Sequence, residues 1–307
     1  MSASRRATRS PREHSPSRRT FVKLLGAAAA TVAIPEAAAS ERRTLDEDRL
    51  GVLADLTLCI GCRRCEWACA EARGAPHGPL HEYDDASVFE QTRRPTPDQL
   101  TVVNRVGAGP DDPGVVHLKI QCMHCEKPAC VSACLVGAMQ KQPDGPVTYD
   151  ASRCIGCRYC MVACPFERLT YEYDKPLTPR VGKCDMCRAR TREGRTPACV
   201  EMCPVEALTF GPRAELLKIA HQRIADNPDR YVDQVYGETE AGGTSWLYIA
   251  DRPFSQLGFP ALGPTSPAAV TEAIQHGIFW GFAAPIGLFA ALGAVNFATG
   301  RRKERAS

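Results

Sequence analysis

All sixteen cysteines of the chain fall into four runs of four. The first is Cys59, Cys62, Cys65 and Cys69, and the second Cys122, Cys125, Cys130 and Cys134. The third is Cys154, Cys157, Cys160 and Cys164, followed by Pro165; the fourth is Cys184, Cys187, Cys199 and Cys203, followed by Pro204. Runs one and three have the spacing C-x2-C-x2-C-x3-C, in which three thiolates on one tight loop hold three irons of a 4Fe–4S cubane. The fourth cysteine of such a run sits on the helical stretch that follows and ligates the other cluster of a pair. Run two widens one gap by two residues, and run four widens the same gap to eleven. Gly61 and Gly156 stand inside two-residue gaps, where a loop needs positive φ. The arithmetic gives four 4Fe–4S clusters with no cysteine left over.

Other cysteine chemistries explain less. A zinc site takes two C-x2-C pairs in a tetrahedron, which suits runs two and four but not three ligands on one loop. Disulfides suit an exported chain, yet eight bridges in a protein with a sizeable apolar core would leave the regular spacing unexplained. A redox dithiol accounts for two cysteines. An exported structural protein held by zinc or disulfides is therefore the alternative of a different class. Next to the ligands stand Arg63, Arg64, Arg153 and Arg158, which either raise local potentials or are solvated. His124, between two ligands, is read as a packing or hydrogen-bonding neighbour.

The elements that must position these runs are short. Glycine and proline number 24 each, which favours loops over long helices. Met139-Gln140-Lys141 and Val147-Thr148-Tyr149 flank a Pro-Asp-Gly turn and read as a hairpin. Cysteine helix, hairpin and cysteine loop follow the layout of a small two-cluster ferredoxin, with residues 115–120 and 169–173 as the flanking strands of that unit, so runs two and three form an inner module over 114–178. Runs one and four form an outer module from 50–113 with 179–260. Residues 212–225 read as an amphipathic helix with Leu216, Leu217, Ile219 and Ile224 on its apolar face, and residues 246–250 as a strand.

Both ends carry targeting signals. Ser17-Arg18-Arg19-Thr20-Phe21-Val22-Lys23 precedes an alanine-rich apolar run over 24–34 and the small residues Ala37, Ala38 and Ala39. That order reads as a twin-arginine signal over 1–39, which exports proteins already folded around their cofactors. Near the other end no Asp, Glu, Lys or Arg occurs over 273–300, and Arg301, Arg302, Lys303 and Arg305 follow at once. Residues 278–298 have the ~20-residue length of a membrane span. The basic tail, 301–307, stays cytoplasmic by the positive-inside rule, which puts the cluster domain, 40–272, on the outer face. The net charge of +3 is too small to argue for nucleic acid. No nucleotide-binding glycine loop, hydrolytic triad or free nucleophile is present, so the chain is read as a non-catalytic electron carrier.

On Gln121-Cys122-Met123-His124-Cys125 and the run Cys154 to Pro165, the chain resembles the four-cluster ferredoxin subunits of membrane-bound respiratory oxidoreductases. Among these it is most similar to the periplasmic iron–sulfur subunit of the hydrogenase-2 type. The resemblance implies an α+β fold of two interleaved bacterial two-cluster ferredoxin modules, loop-rich, plus one C-terminal transmembrane helix. It implies four ligand sets: Cys59, Cys62 and Cys65 with Cys203; Cys184, Cys187 and Cys199 with Cys69; Cys122, Cys125 and Cys130 with Cys164; and Cys154, Cys157 and Cys160 with Cys134. The implied partners are a catalytic subunit, a nickel–iron hydrogenase, and an integral membrane quinone-reactive subunit. A formate dehydrogenase or another molybdenum oxidoreductase is the alternative partner.

Overall fold

In the computed structural model, residues 49–107, 114–175 and 180–304 are described. The expected export signal, with Arg18 and Arg19, lies outside them, as does the end of the basic tail. The fold is a mixed α/β arrangement of short elements joined by loops, with one exception at its end.

A three-stranded sheet forms its centre. Strand β1 (Leu50–Asp55) lies between β8 (Leu208–Pro212), antiparallel, and β9 (Trp246–Ile249), parallel. Its register pairs Val52 with Phe210 on one side and with Trp246 on the other. Helix α6 (Arg213–Asp226) follows β8 directly and buries Leu216, Ala220 and Ile224 against Leu53, Leu247 and Ile249. These three positions recur at i, i+4 and i+8, the stripe that a helix presents to one neighbour. Ile219, expected on the apolar face, is exposed instead, and Ala220 fills the close approach to the sheet.

Three two-stranded ribbons complete the strand set among the described residues. β2 (Val102–Val106) pairs with β3 (Val116–Ile120), and β4 (Met139–Lys141) with β5 (Val147–Tyr149), both antiparallel. β6 (Thr170–Tyr171) pairs with β7 (Val181–Gly182). The β4–β5 hairpin is the one expected around the Pro-Asp-Gly turn. The strands expected over 115–120 and 169–173 are present as β3 and β6, paired with β2 and β7.

The last helix, α7 (Ala268–Glu304), runs 37 residues with Pro285 inside it. Large apolar side chains including Ile278, Phe282, Ile286, Phe289, Leu292 and Phe297 are exposed along it. Among the described residues no helix is long and apolar enough to cross a membrane. The expected span, 278–298, falls on α7, and some of its side chains lie outside the described residues.

Candidate metal centres

Each cysteine run is a loop that turns into a short helix. Cys65 and Cys69 lie on α1 (Arg64–Glu71) and Cys130 on α2 (Ala129–Ser132). Cys160 lies on α3 (Tyr159–Val162), Cys187 caps α4 (Arg188–Arg192), and Cys199 lies on α5 (Ala198–Glu201). The loops turn through the left-handed region: Gly61 and Arg63 in run one, His124 in run two, Gly156 and Arg158 in run three, Met186 and Cys187 in run four. For residues other than glycine that conformation costs roughly 1–2 kcal/mol each. The sequence announces it only at the two glycines, because a positive φ at Arg, His or Met has no compositional signature. The turns aim backbone N–H groups at sulfur: Gly156 donates to Cys154 Sγ at 3.4 Å and Met186 to Cys184 Sγ at 3.3 Å. Ala138 and Met139 both donate to Cys134 Sγ, at 3.2 and 3.4 Å.

Helix packing then brings distant runs together. α1 packs against α5, and α2 against α3. Cys203 stands with Cys62 among the sulfurs near enough to act electrostatically on Cys59. Cys69 acts on Cys184 and Cys187, and Cys199 acts on Cys69. Cys122, Cys164 and Cys130 act together on Cys125, while Cys134, Cys154 and Cys157 act together on Cys160. Cys59, Cys62, Cys65 and Cys203 line one apolar cavity with Lys119. All sixteen cysteines are unbridged. Among the described residues no three His, Cys, Asp or Glu side chains converge as a single metal ion would require. The sulfurs of the first set stand around a cavity rather than on a point, the arrangement that ligands at the corners of a cubane take.

Burial dominates the electrostatics. It pushes the thiols of Cys59 and Cys160 up to about 11, and those of Cys130 and Cys187 up to about 12. Cys65, Cys125 and Cys184 rise well above the ordinary value for the same reason. Such thiols are protonated and unreactive at neutral pH, so they suit metal ligation, in which iron displaces the proton, and not nucleophilic chemistry. His124 is fully buried, and burial followed by the charges of Lys183, Lys141 and Lys119 holds its pKa far below the usual imidazole value. Its Nδ1 accepts the Val147 N–H at 2.9 Å, so the neutral ring carries its proton on Nε2. Among the described residues that Nε2 has no partner, nor do Trp67 Nε1 and Trp246 Nε1. An unmet buried donor costs about 1–3 kcal/mol, and cluster sulfur is an acceptor. Lined cavity, N–H donors to sulfur and unpartnered buried donors together fit cubane clusters.

The four arginines divide. Arg63 is buried and donates to Glu66 and to the carbonyls of Tyr83 and Asp85, while Arg64, Arg153 and Arg158 are exposed. Glu66, beside Cys65, is the polar node behind the first run. It accepts from both Nη atoms of Arg93, from Gln99 and from the Val103 N–H. Neither Glu66 nor the buried Lys119 was singled out by the sequence pattern.

Four loop-bound cysteine runs, each turning into a short helix, define an iron–sulfur electron-transfer protein. Residues 115–213 match the 4Fe-4S dicluster domain family. The chain is 46% identical over 295 residues to a protein of Nitratidesulfovibrio vulgaris strain Hildenborough, with 94% of this chain and 78% of that one covered. It is 35% identical over 308 residues to the hydrogenase-2 operon protein HybA of Escherichia coli O157:H7, covering 90% of this chain and 93% of HybA. The iron–sulfur subunit of nitrate-inducible formate dehydrogenase of Escherichia coli K12 is 34% identical over 219 residues, covering 68% of this chain and 71% of that subunit. The chain belongs to the ferredoxin-type iron–sulfur subunits that include HybA. It is an electron-transfer subunit, and its sixteen cysteines provide for four 4Fe–4S clusters.

Proposed function

We propose that the chain relays single electrons through its four clusters between a nickel–iron hydrogenase on the outer face of the cytoplasmic membrane and an integral quinone-reactive subunit. The similarity to HybA along nearly the whole of both chains carries this reading. The iron–sulfur subunit of formate dehydrogenase, similar over a shorter stretch, supports a molybdenum oxidoreductase as the second reading.

The ligand sets are Cys59, Cys62, Cys65 and Cys203; Cys184, Cys187, Cys199 and Cys69; Cys122, Cys125, Cys130 and Cys164; and Cys154, Cys157, Cys160 and Cys134. The pairing of α1 with α5 and of α2 with α3 favours this exchange of fourth ligands, and with it an inner module of runs two and three inside an outer one. Electrons leave or enter on the membrane side through the third-run cluster. Cys157 is exposed there, among the exposed side chains of Leu135, Ile155, Tyr159 and Val162. Ser132 at the end of α2 donates to Glu272 near the start of α7 at 2.8 Å, which sets that patch beside the last helix.

In this reading α7 anchors the protein. The described residues alone do not supply an 18-residue apolar window; the uncharged sequence over 278–298, followed by Arg301, Arg302 and Lys303, supports a span with its basic end cytoplasmic. Arg18-Arg19 supports export of the folded domain to the other side. Deleting residues 273–307 in a membrane system tests the assignment. Hydrogen oxidation with a soluble dye should persist and quinone-linked oxidation should fall. If both persist at full level the anchoring role is wrong, and if hydrogen supports neither rate while formate does in the intact strain, the catalytic partner is the other one.

A further inference from the structure

Lys119 is buried in β3, and its surroundings are unusual for an ammonium. Nζ donates to Thr101 Oγ1 at 2.7 Å and to Gln121 Oε1 at 2.9 Å, and it lies 4.5 Å from the centre of the Trp246 ring. These neighbours are themselves fixed. Thr101 Oγ1 donates to the Ile120 carbonyl, Gln121 Nε2 donates to Tyr248 Oη, and Tyr248 Oη donates back to the Lys119 carbonyl. Every group in this shell is neutral, and no Asp or Glu among the described residues forms an ion pair with the ammonium. A buried charge without a counter-charge is strongly disfavoured. Something anionic must face it.

What faces it is cysteine sulfur, anionic once it ligates iron. Lys119 lines the cavity of Cys59, Cys62, Cys65 and Cys203. Burial lowers its affinity for the proton, and Cys199, Cys65, Cys184 and Tyr248 raise it, with the net direction upward; those cysteine sulfurs carry the negative charge when they ligate iron as thiolates. Cys69 feels it as well. The ammonium therefore stands on the set completed by Cys203, and Cys199 of the set completed by Cys69 packs in the same core cluster as the Trp246 ring that the ammonium contacts.

We propose that Lys119 is the fixed counter-charge shared by the clusters of the first and fourth runs, and that it raises the reduction potential of both. The proposal rests on the ligand assignment above. A cluster with four thiolates is an anion that gains one negative charge on reduction, so a fixed cation nearby favours the reduced form. One electron arrives from the neighbouring redox centre, no proton moves, and Lys119 remains charged throughout. Cation–π contact with Trp246 and two neutral acceptors hold the charge in place without neutralising it, which a carboxylate would do. Lys119 is thus a positioning residue for electrons and not a ligand.

The test is an EPR-monitored redox titration of the full-length, anaerobically purified protein, with dithionite as reductant, comparing wild type, Lys119→Met and Lys119→Arg. At an effective dielectric of about 20, loss of the charge should lower the reduction equilibrium constant by at least about tenfold, or about 59 mV for one electron. Two of the four midpoint potentials should fall by that amount in Lys119→Met and be largely retained in Lys119→Arg. Unmoved potentials, an equal fall at all four clusters, or a Lys119→Arg protein that falls as far as Lys119→Met would each overturn the proposal. Iron content on the same samples separates the two claims: full iron with unmoved potentials sinks only the role of Lys119, whereas a wild-type protein lacking iron sinks the ligand assignment. Should Lys119→Met not load its clusters, Thr101→Val, which removes one of the two hydrogen bonds, decides by the same measure. A smaller fall at two clusters supports the proposal, and no fall overturns it.

Discussion

Replacing Gly61 with alanine should remove the first cluster selectively, and the structure divides the cost into two parts. Gly61 lies in the first C-x2-C gap at a φ of 73°. An alanine there carries a left-handed strain of about 1–2 kcal/mol. The new methyl would also overlap the His117 ring. That ring is packed on Phe89 with centroids 5.2 Å apart, so it cannot swing away freely. Overpacking of this kind adds about 1–3 kcal/mol. The sum is at least ~2 kcal/mol, which would weaken cluster retention roughly thirtyfold. The Gly61 N–H also favours the Cys59 thiolate, against the larger effect of burial, and that contact would shift with the loop. Iron per chain and the heat-induced bleaching of the cluster absorbance are the readouts. Gly61→Ala should lose about a quarter of its iron while the remaining clusters keep their signals, given four irons in each of four clusters. Adding His117→Ala should recover the overpacking part and leave the strain. Full iron and unchanged bleaching in Gly61→Ala would refute the reasoning, and failure of His117→Ala to restore anything would assign the whole cost to φ.

Cys134→Ala should damage the cluster held by Cys154, Cys157 and Cys160 and leave that of Cys122, Cys125 and Cys130 intact; EPR of the reduced protein distinguishes the two. Glu66→Ala leaves Arg93, Gln99 and the Val103 N–H without their buried acceptor. It should cost about 3–5 kcal/mol, and the bleaching temperature should fall by at least ~6 °C at about 2–4 °C per kcal/mol. Glu66→Gln should fall less. Replacing Arg18 and Arg19 with lysine should keep the protein on the cytoplasmic side, read by protease accessibility in intact and lysed spheroplasts.

Cysteine spacing was legible because ligation to a cubane constrains sequence locally: three ligands must reach one group from a single short loop. The β4–β5 hairpin, the α6 helix and the β9 strand were legible for the same kind of reason, since turn chemistry and apolar periodicity act over a few residues. The central sheet was not. β1 pairs in parallel with β9, as in Val52 with Trp246, across most of the chain, and nothing near Leu50–Asp55 announces a partner so far away. The flanking strands were legible as strands, but their partners β2 and β7 were not. β6 is two residues long, and so short a segment carries no register information of its own.

The site was half legible. Sixteen ligands could be counted, but the residues that tune and support them could not. Lys119 sits in a strand where alternation alone places a lysine on a solvent face; only the fold shows Trp246 and two sets of sulfur around it. Arg63 is paired with the buried Glu66, while Arg64, one residue on, is in solvent. Their neighbouring positions give no hint of that division, because it depends on Tyr83, Asp85 and Arg93 arriving from the following loop.

Metal analysis of the anaerobically purified full-length chain, with Mössbauer spectra of the same sample, tests the central claim most directly. Four complete thiolate sets predict about sixteen irons and sixteen acid-labile sulfides per chain, all in cubane clusters. Stoichiometric zinc with little iron, or eight disulfides with no metal, would contradict it.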